Sequence, residues 1–169
     1  MTFPALNHVA VTVRDIDVSR PWYQALIGTD PVLDEHTDAG FHHVVWAFQG
    51  GTLFGIHQHE RPAPAETFSE FRVGLDHVGF GVASRAELQM WASRLNENGV
   101  AHGGIVAAPY GFGLSFRDPD GIALELFAPP DYPRHLPASY RPRACGPNPG
   151  HRVTAKEQLI LASQRMSRY

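Results

Sequence analysis

Cysteine is nearly missing from this chain: Cys145 stands alone among 169 residues. No internal disulfide can form, and a reducing compartment is the expected setting. Long apolar runs are missing as well. Nothing approaches the roughly 18 uninterrupted apolar residues that suggest a membrane span, and Met1–Asn7 has neither a basic start nor an apolar stretch. The expectation is a soluble, cytoplasmic protein with no membrane partner. Excess positive charge is also wanting, since 14 Lys and Arg face 17 Asp and Glu for a net charge of −3. That balance argues against a surface built for nucleic acid. With 43% apolar and 18% charged residues, the chain is supplied for a globular core and not for disorder. Ten histidines are the main hint of chemistry.

The sequence repeats itself. Leu6-Asn7-His8-Val9-Ala10-Val11-Thr12-Val13 returns as Leu75-Asp76-His77-Val78-Gly79-Phe80-Gly81-Val82, an offset of 69 that also carries Trp22 onto Trp91. Gly51-Thr52-Leu53-Phe54-Gly55-Ile56 aligns with Gly121-Ile122-Ala123-Leu124-Glu125-Leu126 at an offset of 70. A unit of about seventy residues is too long for a solenoid turn and suits a small module of mixed structure.

Each unit reads as βαβββ. The opening strand alternates, with Val9, Val11 and Val13 on one side. In the following helix Ser19 is the expected cap, Pro21 falls in the first turn, Trp22, Ala25 and Leu26 share a face, and Gly28 ends it. In the second unit Ser84 and Glu87 form a capping box, Leu88, Trp91 and Leu95 make the apolar stripe, and Gly99 closes the helix. Three strands follow in each unit, at Pro31–Glu35, Phe41–Gln49 and Thr52–His57, then at His102–Ala107, Gly113–Arg117 and Ile122–Phe127. Gly50-Gly51 and Asp118-Pro119-Asp120-Gly121 are their turn signals. The fold class is α+β, with modules at 5–60 and 74–128 joined by a linker at 61–73. Residues 129–169 form a Pro-rich extension, which holds seven of the fourteen prolines and an expected helix at 155–167.

Strand parity sorts the polar residues. His8 and His77 fall opposite the valines of their strands, each followed by small residues that leave space. Ile122, Leu124 and Leu126 take the helix side of the last strand, so Glu125 points the other way. If the sheets curl toward each other, two imidazoles and a carboxylate converge as a facial triad for a divalent cation. A carboxylate turned inward without a partner or a cation costs several kcal/mol. The plainer reading of a histidine at a strand start is a hydrogen-bonded structural residue. His57 shares the inward face two residues beyond Gly55, as an acid/base group, a displaced ligand or a rim histidine. Tyr110 is either a substrate-orienting hydroxyl or an ordinary loop aromatic. At most one of His42 and His43 faces inward.

Residues 5–128 resemble the vicinal oxygen chelate superfamily of glyoxalase I, extradiol ring-cleaving dioxygenases, fosfomycin-resistance enzymes, methylmalonyl-CoA epimerase and bleomycin-resistance proteins. The likeness rests on Leu6-Asn7-His8-Val9-Ala10-Val11, on Leu75-Asp76-His77-Val78, and on Phe116-Arg117-Asp118-Pro119-Asp120-Gly121-Ile122-Ala123-Leu124-Glu125-Leu126. It implies paired βαβββ modules whose U-shaped mixed sheets surround a divalent metal, with His8, His77 and Glu125 as the ligands. Where glyoxalase I-like members place a fourth ligand, the internal repeat puts Gly55, so the remaining set resembles that of extradiol dioxygenases and fosfomycin-resistance enzymes.

The function implied is a metal-dependent enzyme (Fe²⁺, Mn²⁺, Zn²⁺, Ni²⁺ or Co²⁺) whose small-molecule substrate chelates the ion through neighbouring oxygens. Iron with O₂ would give dioxygenase ring cleavage; other ions suit lyase, isomerase or epoxide-opening chemistry. His57 and Tyr110 are the candidate catalytic residues. The alternative is a metal-free binding protein of the bleomycin-resistance type. A homodimer is expected, because such modules pair within a chain or swap between chains. From Arg134 onward there are seven basic residues and one acidic, a charge of +6 that leaves −9 on the rest. The expected role of this arm is to lie on an acidic surface of its own chain or a neighbouring copy, not on nucleic acid.

Overall fold

A computed structural model describes residues 3–61 and 67–130, which divide between two compact units. The expected arm at 129–169 and its helix at 155–167 lie outside the described residues beyond Pro130, as does part of the linker.

The first unit runs β1 (His8–Thr12), α1 (Ile16–Ile27), β2 (Leu33–Thr37), β3 (Phe41–Ala47) and β4 (Leu53–His59). The second runs β5 (Val78–Gly81), α2 (Arg85–Glu97), β6 (His102–Ala108), β7 (Gly111–Arg117) and β8 (Ala123–Ala128). Both sheets have the same topology, β1-β4-β3-β2 and β5-β8-β7-β6. The first strand pairs parallel with the last, and the other pairings are antiparallel. The α+β, twice-βαβββ expectation therefore holds.

Parity holds too. Val11 and Val13 are buried in the first unit, as are Val78 and Val82 in the second. Ile122, Leu124 and Leu126 are buried beside Leu88, Leu95 and Leu114, each buried leucine contributing roughly 1.5–3 kcal/mol. Both turns form as expected. Gly50 and Gly51 take φ of 88° and 86°, and the buried Asp118 carboxylate accepts from the N–H groups of Asp120 and Ile122 at 2.9 and 2.7 Å.

The first helix departs from its expected start. Asp15, not Ser19, is the cap, its carboxylate accepting from the Asp17 N–H at 2.9 Å. Pro21 consequently lies inside the helix, beyond the first turn. The earlier start also fixes the buried face, which is Ile16, Ser19 and Tyr23; Trp22 and Leu26 are half-buried and Ala25 is exposed. Tyr23 packs against Trp46 and Phe54 with ring centroids 6.2 and 5.2 Å away. The offset that joins His8 to His77 carries Asp15 onto Ser84, which is the cap of α2. There Ser84 Oγ accepts from the Glu87 N–H at 3.2 Å, while the Glu87 carboxylate accepts from the Ala83 N–H at 2.8 Å.

Candidate functional site

In the second unit, register places the functional face. Ser115 pairs with Glu125 and Arg117 with Ala123 across β7 and β8, so these side chains lie opposite the buried Phe116 and Leu124. His77 immediately precedes β5. Its Nε2 stands 3.6 Å from Glu125 Oε2. Its Nδ1–H donates to Asp76 Oδ1 at 2.6 Å, so in the neutral ring the Nε2 lone pair faces the Glu125 carboxylate. A lone pair and an anion at that separation call for a cation between them, either a proton on Nε2 or a metal ion. Two ligand atoms bonded to one ion at about 2.1 Å are roughly 3.0–3.5 Å apart, so a small approach of the two side chains would let them share one ion. The Asp76 carboxylate behind the imidazole is the arrangement that fixes the tautomer of a metal-ligating histidine.

Beside this pair opens a cavity of about 590 Å³ lined by His77, Glu125, Asp76, Ser115, Arg117 and Glu70 among others. Arg117 donates to both Glu70 oxygens, at 2.6 and 3.3 Å, and to the Gly121 carbonyl at 3.1 Å. Those hydrogen bonds hold the Glu70 carboxyl below the usual carboxylate range and raise the Arg117 guanidinium. They also pin residue 70, which the sequence places in the linker, to the second unit.

In the first unit, β1, β3 and β4 set out a face rich in imidazoles. The register pairs Thr12 with His57, His43 with His57 and Phe41 with His59. His43 and His57 are buried, and Phe41 stacks on the His57 ring at 4.9 Å with the planes 9° apart. Burial holds His57 down to about 4, with repulsion from His43, His59 and His8 acting the same way. His57 is thus neutral at pH 7. His8 belongs to this unit and is exposed; its Nδ1–H donates to Asn7 Oδ1 at 3.1 Å, as the repeat-equivalent His77 does to Asp76. In both units the residue before the histidine orients the ring and leaves Nε2 for another partner.

Two of the sequence-derived ligands, His77 and Glu125, are therefore adjacent, while His8 lies in the first unit near His57. Among the described residues, no group of three or more His, Cys, Asp or Glu side chains is arranged to hold a metal ion. Tyr110 sits in the turn before β7, exposed, and stacks on Phe127 at 6.1 Å; it does not line the cavity. Of the adjacent pair, His43 is the inward one, whereas His42 lies 2.7 Å from Asp34 on the other face. The roles of Asn7 and Asp76 escaped the sequence reading, although both stand in the repeated Leu-Asn/Asp-His motif.

Comparison with known proteins agrees with this frame. The family model of the glyoxalase/bleomycin resistance protein/dioxygenase superfamily matches residues 5–126. A glyoxylase/bleomycin resistance protein/dioxygenase domain from Frankia sp. EAN1pec is 30% identical with a TM-score of 0.70, over 79% of this chain and 98% of its own. A glyoxalase family protein from Enterococcus faecalis, 23% identical with a TM-score of 0.62 over 75% of this chain and 99% of its own, shares the fold. Among curated proteins, the Bacillus subtilis (strain 168) protein named "Putative ring-cleaving dioxygenase MhqA" is 35% identical over 79 residues, 46% of this chain and 24% of that protein. The chain thus spans about a quarter of the length of that relative. By its matched residues and its repeated topology, this chain belongs to the glyoxalase/bleomycin resistance protein/dioxygenase superfamily.

Proposed function

We propose that the protein is a divalent-metal-dependent enzyme whose small substrate binds through two neighbouring oxygens. The observation that carries this reading is the His77–Glu125 pair, 3.6 Å apart, with Asp76 fixing the imidazole from behind. His77 and Glu125 would hold the ion, a neutral nitrogen and a carboxylate that suit Fe²⁺, Mn²⁺, Zn²⁺, Ni²⁺ or Co²⁺. The bound ion would supply Lewis acidity toward an enolate or phenolate developing on the substrate.

The protein's own groups do the remaining work. Ser115, directly across from Glu125, offers a hydroxyl to an oxygen-bearing substrate.

Ring cleavage is the leading reaction class, supported by the ring-cleaving dioxygenase name of the curated B. subtilis relative. Oxygen uptake by Fe²⁺-loaded full-length protein with a panel of small catechols tests it. Consumption of O₂ with appearance of an absorbing ring-opened product is expected. No uptake with any catechol, together with tight binding of a flat apolar ligand by metal-stripped protein, would replace the enzyme with a binding protein of the bleomycin-resistance type.

A further inference from the structure

The Glu125 carboxylate occupies space that exists only because residue 113 has no side chain. Gly113 lies on β7, two residues from Ser115, the register partner of Glu125. Residues 113 and 115 project to the same face of the strand. A Cβ at Gly113 would stand 2.5 Å from Glu125 Oε1 and 3.4 Å from its Cδ. Real side chains do not tolerate the first distance, so the carboxylate would have to move. The backbone gives glycine no advantage here, since the φ of Gly113 lies outside the left-handed region. What glycine supplies at this position is room.

We propose that Gly113 is a positioning residue: the open space above its Cα seats the Glu125 carboxylate where it meets His77 Nε2. The proposal rests on the reading of Glu125 as a metal ligand. It also separates two costs that usually travel together. Glu125 Oε1 is the far end of a flexible side chain and swings aside easily, so alanine at 113 leaves folding nearly unchanged while moving the ligand oxygen. The effect belongs to metal affinity and not to stability.

The test titrates metal-stripped, full-length protein with Co²⁺, followed by calorimetry and by the visible spectrum of the bound ion, with a urea melt of each variant. Gly113→Ala is expected to weaken Co²⁺ binding roughly 10–100-fold, the range for groups that orient a ligand, and to alter the spectrum, with its urea midpoint unchanged. Gly81→Ala, where an added Cβ meets nothing within 4 Å, is expected to match the wild type in both measurements. Shortening the carboxylate gives the decisive sign. Glu125→Asp weakens binding beside Gly113 but recovers part of the loss beside alanine.

If Gly113→Ala binds Co²⁺ as the wild type does while Glu125→Ala does not, the seat is wrong and the ligand reading stands. If Glu125→Ala binds like the wild type, or the wild type takes up no Co²⁺, both fall. Should Gly113→Ala fail to fold, a folded Gly113→Ala/Glu125→Asp chain supports the seat. Two unfolded chains would show that glycine is required there for another reason and overturn it.

Discussion

The imidazole of His57 leans back over Gly55, so that a side chain at position 55 would begin 3.5 Å from His57 Nε2. Gly55 is the repeat counterpart of Glu125. Where one unit presents a carboxylate, the other presents an open position covered by a buried ring. That ring is crowded by His43, His59 and His8, and it costs energy to protonate.

Burial of that ring, reinforced by the neighbouring histidines, makes the fold sensitive to acid. His57 titrates near 6.5 in an unfolded chain but at about 4 in the native one, so the unfolded form takes up its proton first as pH falls. The stability this contributes is full above pH 6.5 and is lost progressively toward pH 4. The gap between the two values corresponds to as much as about 3 kcal/mol. Urea melts between pH 7.5 and 4.5 should show a steep loss in the wild type and a shallower one in His57→Phe. Parallel curves would contradict the assignment.

Asp76, itself exposed at the edge of the cavity, hydrogen-bonds the His77 ring. Asp76→Ala should weaken divalent-metal binding about 10–100-fold with no change in melting temperature. Asp76→Asn should retain most of the affinity, because the amide oxygen still accepts from Nδ1–H, as Asn7 does for His8. Calorimetric titration with Co²⁺ separates the two variants. Equal loss in both would mean that the negative charge, and not the orientation, is what matters.

Ser19 is buried with its hydroxyl unpaired, at the position where the second helix has Leu88. A buried hydroxyl that makes no hydrogen bond costs about 1–3 kcal/mol, and serine is a poorer helix former than alanine. Ser19→Ala should therefore raise stability by about 1 kcal/mol, read as a higher thermal midpoint. A lower midpoint would show that the hydroxyl has a stabilising role in the native state.

Much of this was legible in the residues themselves. Alternation in β1, β5 and β8 identified the inward faces correctly, because one side of each strand is uniformly apolar and the parity of Glu125 follows from Leu124 and Leu126. The start of α1 was not legible from local signals. Ser19 and Pro21 resemble a helix beginning, whereas the role of Asp15 shows only when the repeat offset is followed to Ser84. His42 and His43 were undecidable in sequence, since adjacent strand residues take opposite faces and only the pairing of His43 with His57 settles which is inward. The seat at Gly113 escaped entirely: it depends on the direction in which a side chain leans, which parity does not encode.

Elemental analysis tests most directly whether His77 and Glu125 bind a metal ion. Full-length protein purified without oxygen or chelators should carry close to one divalent ion per chain. His77→Ala and Glu125→Ala, folded by circular dichroism, should carry almost none. Metal content in His77→Ala equal to that of the wild type would contradict the account.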